Sequence, residues 1–187
     1  MRVLGFGVIA ATLTFLAGCA GGKVYNEQFH ANYRHLELMA EHGGKDMKLE
    51  LLGAPTGADE AFLAEAVGAA MTGKNWGLPI TFTTTPTETA GAPSRIVVLF
   101  SPAPSALGRR VCDGSATPSA DGSPNSAIVA YCRRDLERSS VWIDLPPGAG
   151  VGTPAFEESL ALATRALLPI RSPFDRTEDS DLCVGSC

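Results

Sequence analysis

The first eighteen residues constrain this chain more than any other stretch. Arg2 is the only charged side chain before Lys23, Val3 to Phe15 are apolar or small, and Leu16-Ala17-Gly18 leads into Cys19. A charged start, an apolar core of roughly 7–15 residues and small residues before the cut form the layout of a secretory signal. The run falls short of the ~20 apolar residues that a spanning helix requires. Residues 1–18 are therefore read as a signal peptide. The fold must then be built from the remainder, about 170 residues, which is enough for one domain and too little for two.

At Leu16-Ala17-Gly18-Cys19 the sequence resembles the lipobox of the bacterial lipoproteins. The resemblance implies that Cys19 becomes the first mature residue and carries diacylglycerol on its sulfur, with a third acyl chain on its nitrogen. One acyl chain gives marginal membrane residence and two or more hold firmly, at about 0.8 kcal/mol per buried methylene. Ala20, not Asp, follows the cysteine, which resembles the enterobacterial cargo sent on to the outer membrane. The expected location is the periplasmic face of the outer membrane. The expected partners are the lipid bilayer, through acylated Cys19, and another envelope protein. Residues 19–25 are expected to be an acylated tether and 26–187 a single globular domain.

Export places the remaining cysteines, Cys112, Cys132, Cys183 and Cys187, in an oxidising compartment, where an even number reads as disulfides. Three pairings are open. Cys112–Cys132 with Cys183–Cys187 is favoured, because each pair brackets a loop that closes without rearranging the rest. The first loop would contribute about 3 kcal/mol by restricting the unfolded chain. A four-cysteine zinc site would come as two close pairs, and only Cys183/Cys187 has that spacing. No metal is expected there.

The three histidines, His30, His35 and His42, fall in a segment read as a helix from Asn26 to His42. That reading rests on Tyr25, Phe29, Tyr33, Leu36 and Ala40 recurring every three or four residues, with Gly43-Gly44 as the stop. Histidines five apart diverge by about 140° on a helix, and those seven apart lie about 10 Å apart along it. Neither spacing brings two imidazoles to one ion.

Further along, Met47 to Leu52 alternates like a strand. Pro55-Thr56-Gly57-Ala58-Asp59 opens a helix with Thr56 as cap and Phe62, Leu63, Ala66, Val67, Ala70 and Met71 as its apolar stripe. Pro79 to Pro86 is a β-branched strand between prolines, hence an edge. Arg95 to Phe100 is a continuous apolar run, expected to be a strand covered on both faces. The polar insertion Val111–Ser126 repeats Asp-Gly-Ser but lacks the acidic ligands of a calcium loop and any Gly-x-Ser-x-Gly elbow. It is read as a surface loop stapled at its base. Ala127 to Cys132 and Ser140 to Leu145 read as a hairpin around a polar turn at Asp135–Ser139, with Val141, Ile143 and Leu145 inward and Trp142 and Asp144 outward. Pro146 to Pro154 is glycine-rich, but its spacing is Gly-x-Gly-x-Gly, no Lys-Ser/Thr follows, and Pro146-Pro147 removes two amide donors. It is a lead-in to a helix capped by Thr153 and buried along Phe156, Leu160, Ala163 and Leu167. An irregular acidic tail follows.

The expected fold is an α+β two-layer sandwich of about five mostly antiparallel strands, with two amphipathic helices on one face. Net charge is −5 with no Lys/Arg run, which argues against nucleic acid. No nucleotide and no cofactor are expected. The expected function is that of a membrane-anchored envelope lipoprotein with a non-catalytic binding or scaffold domain, its contact surface near Trp142 and Tyr131. The alternative is a small hydrolase-like periplasmic enzyme using Asp144, Asp113 and a histidine. A histidine within hydrogen-bond reach of a carboxylate in a pocket would favour it.

Overall fold

The computed structural model describes residues 22–55, 58–171 and 173–176. Cys19, Cys183 and Cys187 lie outside the described residues, as does Thr56. In chain order the elements are β1 (Lys23–Phe29), α1 (His35–His42), β2 (Asp46–Leu52), α2 (Glu60–Met71), β3 (Thr81–Thr83), β4 (Ser94–Phe100), α3 (Gly108–Cys112), β5 (Ser126–Arg133), β6 (Leu136–Asp144), α4 (Pro154–Leu167) and a 3-10 turn at Pro173–Arg176. The chain is α+β. Among the described residues no helix is long and apolar enough to cross a membrane.

Six strands form one sheet in the order β1-β6-β5-β4-β2-β3. From β1 to β4 neighbours are antiparallel, whereas β4–β2 and β2–β3 are parallel, so the sheet is mixed. Helix α2 provides the crossover that the parallel pair β2–β3 needs. Strand β3 is three residues long and lies on an edge, as the flanking prolines imply.

Residues of opposite parity on the central strands feed two separate cores. On one face Met47, Leu49, Ile96, Val98, Val129, Tyr131, Val141 and Ile143 pack against Leu63, Val67 and Met71 of α2 and Phe156, Leu160 and Leu167 of α4. On the other, Val97, Leu99, Ile128, Ala130 and Cys132 lie beneath Val111 and Cys112 of α3. Two helices on one face is thus only part of the architecture. A short helix at the entry to the supposed surface loop covers the second face, where Cys112 and Cys132 form a disulfide with Cα atoms 5.4 Å apart. Arg95 reinforces it, with Nη2 donating to Cys112 O at 2.8 Å and Nε to Glu50 Oε2 at 2.6 Å.

The helix starts follow local chemistry. Asp59, three residues beyond the expected cap Thr56, is the cap of α2, its Oδ1 accepting from Phe62 N at 3.0 Å. Thr153 caps α4 ahead of Pro154 as expected. Phe62, assigned to the buried stripe, is 50% exposed.

The segment 26–42 is not one helix. Its first part completes β1, which pairs with β6 and shifts register between Tyr25 and Gln28, where Asn26 takes φ 51°. That irregularity destroys the period-two pattern and leaves aromatics at pseudo-helical spacing. Only α1 is helical, and it buries Leu38 and His42 while Leu36 is 83% exposed. Nor does the tether extend to residue 25: Gly22 N donates to Ser159 Oγ of α4 at 3.1 Å, and β1 begins at the next residue.

Candidate functional site

Helix α3 covers the second face of the sheet over β4, β5 and the buried Glu137 and Ser140 of β6. Toward the β1 edge the cover thins, and there Asp144 and half-buried Trp142 continue the same row of β6 beside Tyr25 and Gln28 of β1. Glu137 joins this set because the hairpin turn is shorter than expected. Arg134-Asp135 makes the turn, β6 begins at Leu136, and an irregularity between Tyr131 and Cys132 places Glu137 opposite Cys132.

Two adjoining concavities follow this strip. One, of about 310 Å³, lies between Tyr25, Trp142 and the segment Pro104–Leu107. The other, of about 210 Å³, is lined by His30, Arg109, Glu137, Ser140 and Trp142. Trp142 belongs to both and forms the ridge between them. Its ring lies 6.1 Å from that of Tyr25, tilted by 35°. Burial, then the neighbouring Asp144 carboxylate, raises the Tyr25 phenol above its ordinary pKa, so it holds its proton and donates to Asp144 Oδ1 at 3.1 Å. Ser126 Oγ donates to the same oxygen at 2.6 Å.

At the far end of the strip His30 Nε2 stands 3.1 Å from Glu137 Oε2, the imidazole side chain 48% exposed and the carboxylate 6%. Glu137 Oε1 has no partner. A Cβ on Gly108 would collide with both Glu137 Oε1 and Ser140 Oγ, so these groups crowd against the α3 backbone and only glycine fits. The carboxylate is therefore central, with the imidazole on one oxygen and the hydroxyl near the other. Nucleophilic catalysis needs the imidazole between acid and hydroxyl. Among the described residues the side-chain partner of the imidazole is Glu137.

The other groups singled out from sequence are scattered. Asp144 and Glu137 stand at opposite ends of β6, roughly 20 Å apart at strand rise. Asp113 follows α3 on the surface, its Oδ1 accepting from Ser115 N at 2.9 Å. His35 sits beside Gly77, and burial lowers its pKa. His42 is fully buried, with Nδ1 2.9 Å from Asp46 O. Tyr131, placed beside Trp142 in the sequence reading, lies on the opposite face, buried edge-on to Tyr33. Sequence reasoning missed the His30–Glu137 contact. Glu137 sat inside the supposed turn, and His30 on a supposed helix. Among the described residues no three His, Cys, Asp or Glu side chains could hold one metal ion.

No family model matches this chain, and neither the curated proteins nor the solved structures give a match.

Proposed function

We propose that this chain is a lipoprotein of the bacterial cell envelope, held on the periplasmic face of the outer membrane by acyl chains on Cys19. In this reading its domain is a non-catalytic binding module, and the strip around Trp142 receives another envelope protein. The observation that carries it is the half-buried Tyr25–Trp142 pair, which lines a groove against Pro104–Leu107 at the margin of the second core. An aromatic ridge flanked by hydrogen-bonding side chains has the composition of a recognition surface. The leader ending at Cys19 and the Cys112–Cys132 disulfide support an oxidising, exported setting.

Crosslinking in intact envelopes followed by pull-down tests the binding role. A reproducible neighbour recovered with the wild type and lost with Trp142→Ala is the expected result, and recovery of the protein alone would sink the scaffold role. Incorporation of a clickable fatty acid into wild type and not into Cys19→Ser tests the anchor.

A second reading, a small hydrolase-like enzyme on the same anchored domain, is favoured by one observation, the His30–Glu137 contact inside a cleft. It requires Glu137 to act as the acid or base. Turnover of ester or amide probes that disappears in Glu137→Gln while the fold persists would establish it over the binding module.

A further inference from the structure

Strand register defines two ends of the molecule, and the chain treats them differently. Lys23 pairs with Asp144, Asp144 with Ser126, Phe100 with Ala127, and Leu99 with Leu52, so these residues mark one end of the sheet. The described connections at that end are 53–55, 58–59, 101–107, 117–125 and 145–153. They interlock: Ser119 N donates to Ser101 O, Leu145 N to Asn125 O, and Pro102 bridges Pro118. Within 101–107, 117–125 and 145–153 the one charged residue is Asp121, and the rest is Pro, Gly, Ala, Ser and a few others; Asp59, Glu60, Glu157 and Glu158 stand exposed at the adjoining starts of α2 and α4. Phe62, half-exposed in the first turn of α2, lies against Gly152 at the same end. The opposite end carries Arg34, Lys45, Lys74, Arg134 and Arg171, all exposed, beside the exposed apolar side chains Leu36, Trp76, Leu78, Leu136 and Ile170.

Gly22 is fixed at the first of these ends. Its amide is bound to Ser159, and a Cβ there would strike Ser159 Oγ and come within 2.7 Å of Asp144 O. Cys19 is three residues before it. At roughly 3.3–3.6 Å per residue, the tether reaches about 11 Å at most. From these facts and the proposed acylation of Cys19, on which this rests, we infer that the domain sits end-on. The charge-poor loops 101–107, 117–125 and 145–153, with Phe62, face the lipid surface, and the cationic end points away.

A short tether leaves the domain little room to roll over. The loops that must then meet the headgroups carry almost no charge to desolvate. Without the tether, electrostatics and the exposed apolar side chains would choose the other end, because exposed Lys and Arg are drawn to anionic lipid by about 1 kcal/mol each. The two orientations are therefore well separated by experiment.

The full-length acylated protein, reconstituted into phosphatidylethanolamine–phosphatidylglycerol vesicles carrying a headgroup-level diazirine phospholipid, is irradiated and its adducts are mapped by mass spectrometry. Adducts several-fold enriched in 101–107, 117–125 and 145–153 over 72–79 and 168–171 are expected. An acylated N-terminal peptide with adducts concentrated at 72–79 and 168–171, or spread evenly, overturns the orientation alone. An unmodified N-terminal peptide overturns the anchor and the orientation with it.

Discussion

Asp46 illustrates how much a single carboxylate can organise without being a site. It sits at the start of β2, and its oxygens accept from the amides of Thr87, Glu88 and Thr89 and from the hydroxyls of Thr87 and Thr89. The Thr87 amide first, and then the other donors against the cost of burial, holds its carboxyl well below the usual carboxylate range. A depressed folded-state pKa means that this stabilisation is complete above the unfolded value, about 4, and is lost as pH falls through the folded value. Denaturant midpoints measured from pH 6 downward should therefore fall below about pH 4 in the wild type. In Asp46→Asn the midpoint should be lower at pH 6 and change less on acidification. Gly108 is the complementary case, a position defined by what cannot be added. Gly108→Ala should destabilise by about 1–3 kcal/mol, as overpacking does, and shift His30 away from Glu137. Thermal melts and the imidazole NMR resonances report the two effects. Neither role was legible in the sequence, because both depend on partners about 30 to 40 residues distant in the chain.

Among elements, α3 departs furthest from expectation. Five residues just ahead of a polar, turn-rich insertion are too few for a periodic signal, yet Val111 and Cys112 close the second core. Of the three pairings open from sequence, the favoured one contains the observed Cys112–Cys132 bond, but the layer that bond fastens was not legible. The double variant Cys112→Ala/Cys132→Ala should lose about 3 kcal/mol. At about 2–4 °C per kcal/mol, calorimetry should then show a melting temperature lower by roughly 6–12 °C. Strand β1 escaped for the opposite reason, as its irregularity at Asn26 gave a helix-like recurrence to residues that lie on a sheet edge. Helices α2 and α4 were read within a few residues of their bounds, because caps and apolar stripes are local features. The faces of β5 could not be read at all. A strand buried on both sides shows no alternation, and so Tyr131 was assigned to the wrong one.

Over the whole molecule the α+β class was legible, whereas the strand order was not. The order depends on which distant strands meet, and the two parallel pairings around β2 arise from connections whose lengths leave several topologies open. Two cores sharing one sheet should unfold together. Far- and near-ultraviolet circular dichroism are expected to give coincident thermal transitions under oxidising conditions. A finer consequence comes from the sheet's two rims. One is a strand of three residues and the other is kinked at Asn26, so neither offers a long straight ladder of free amides and carbonyls. On the proposed acyl anchor at Cys19, copies of this chain would meet far more often than if diluted in three dimensions. Blunted rims let such a crowd stay separate molecules instead of zipping into ribbons.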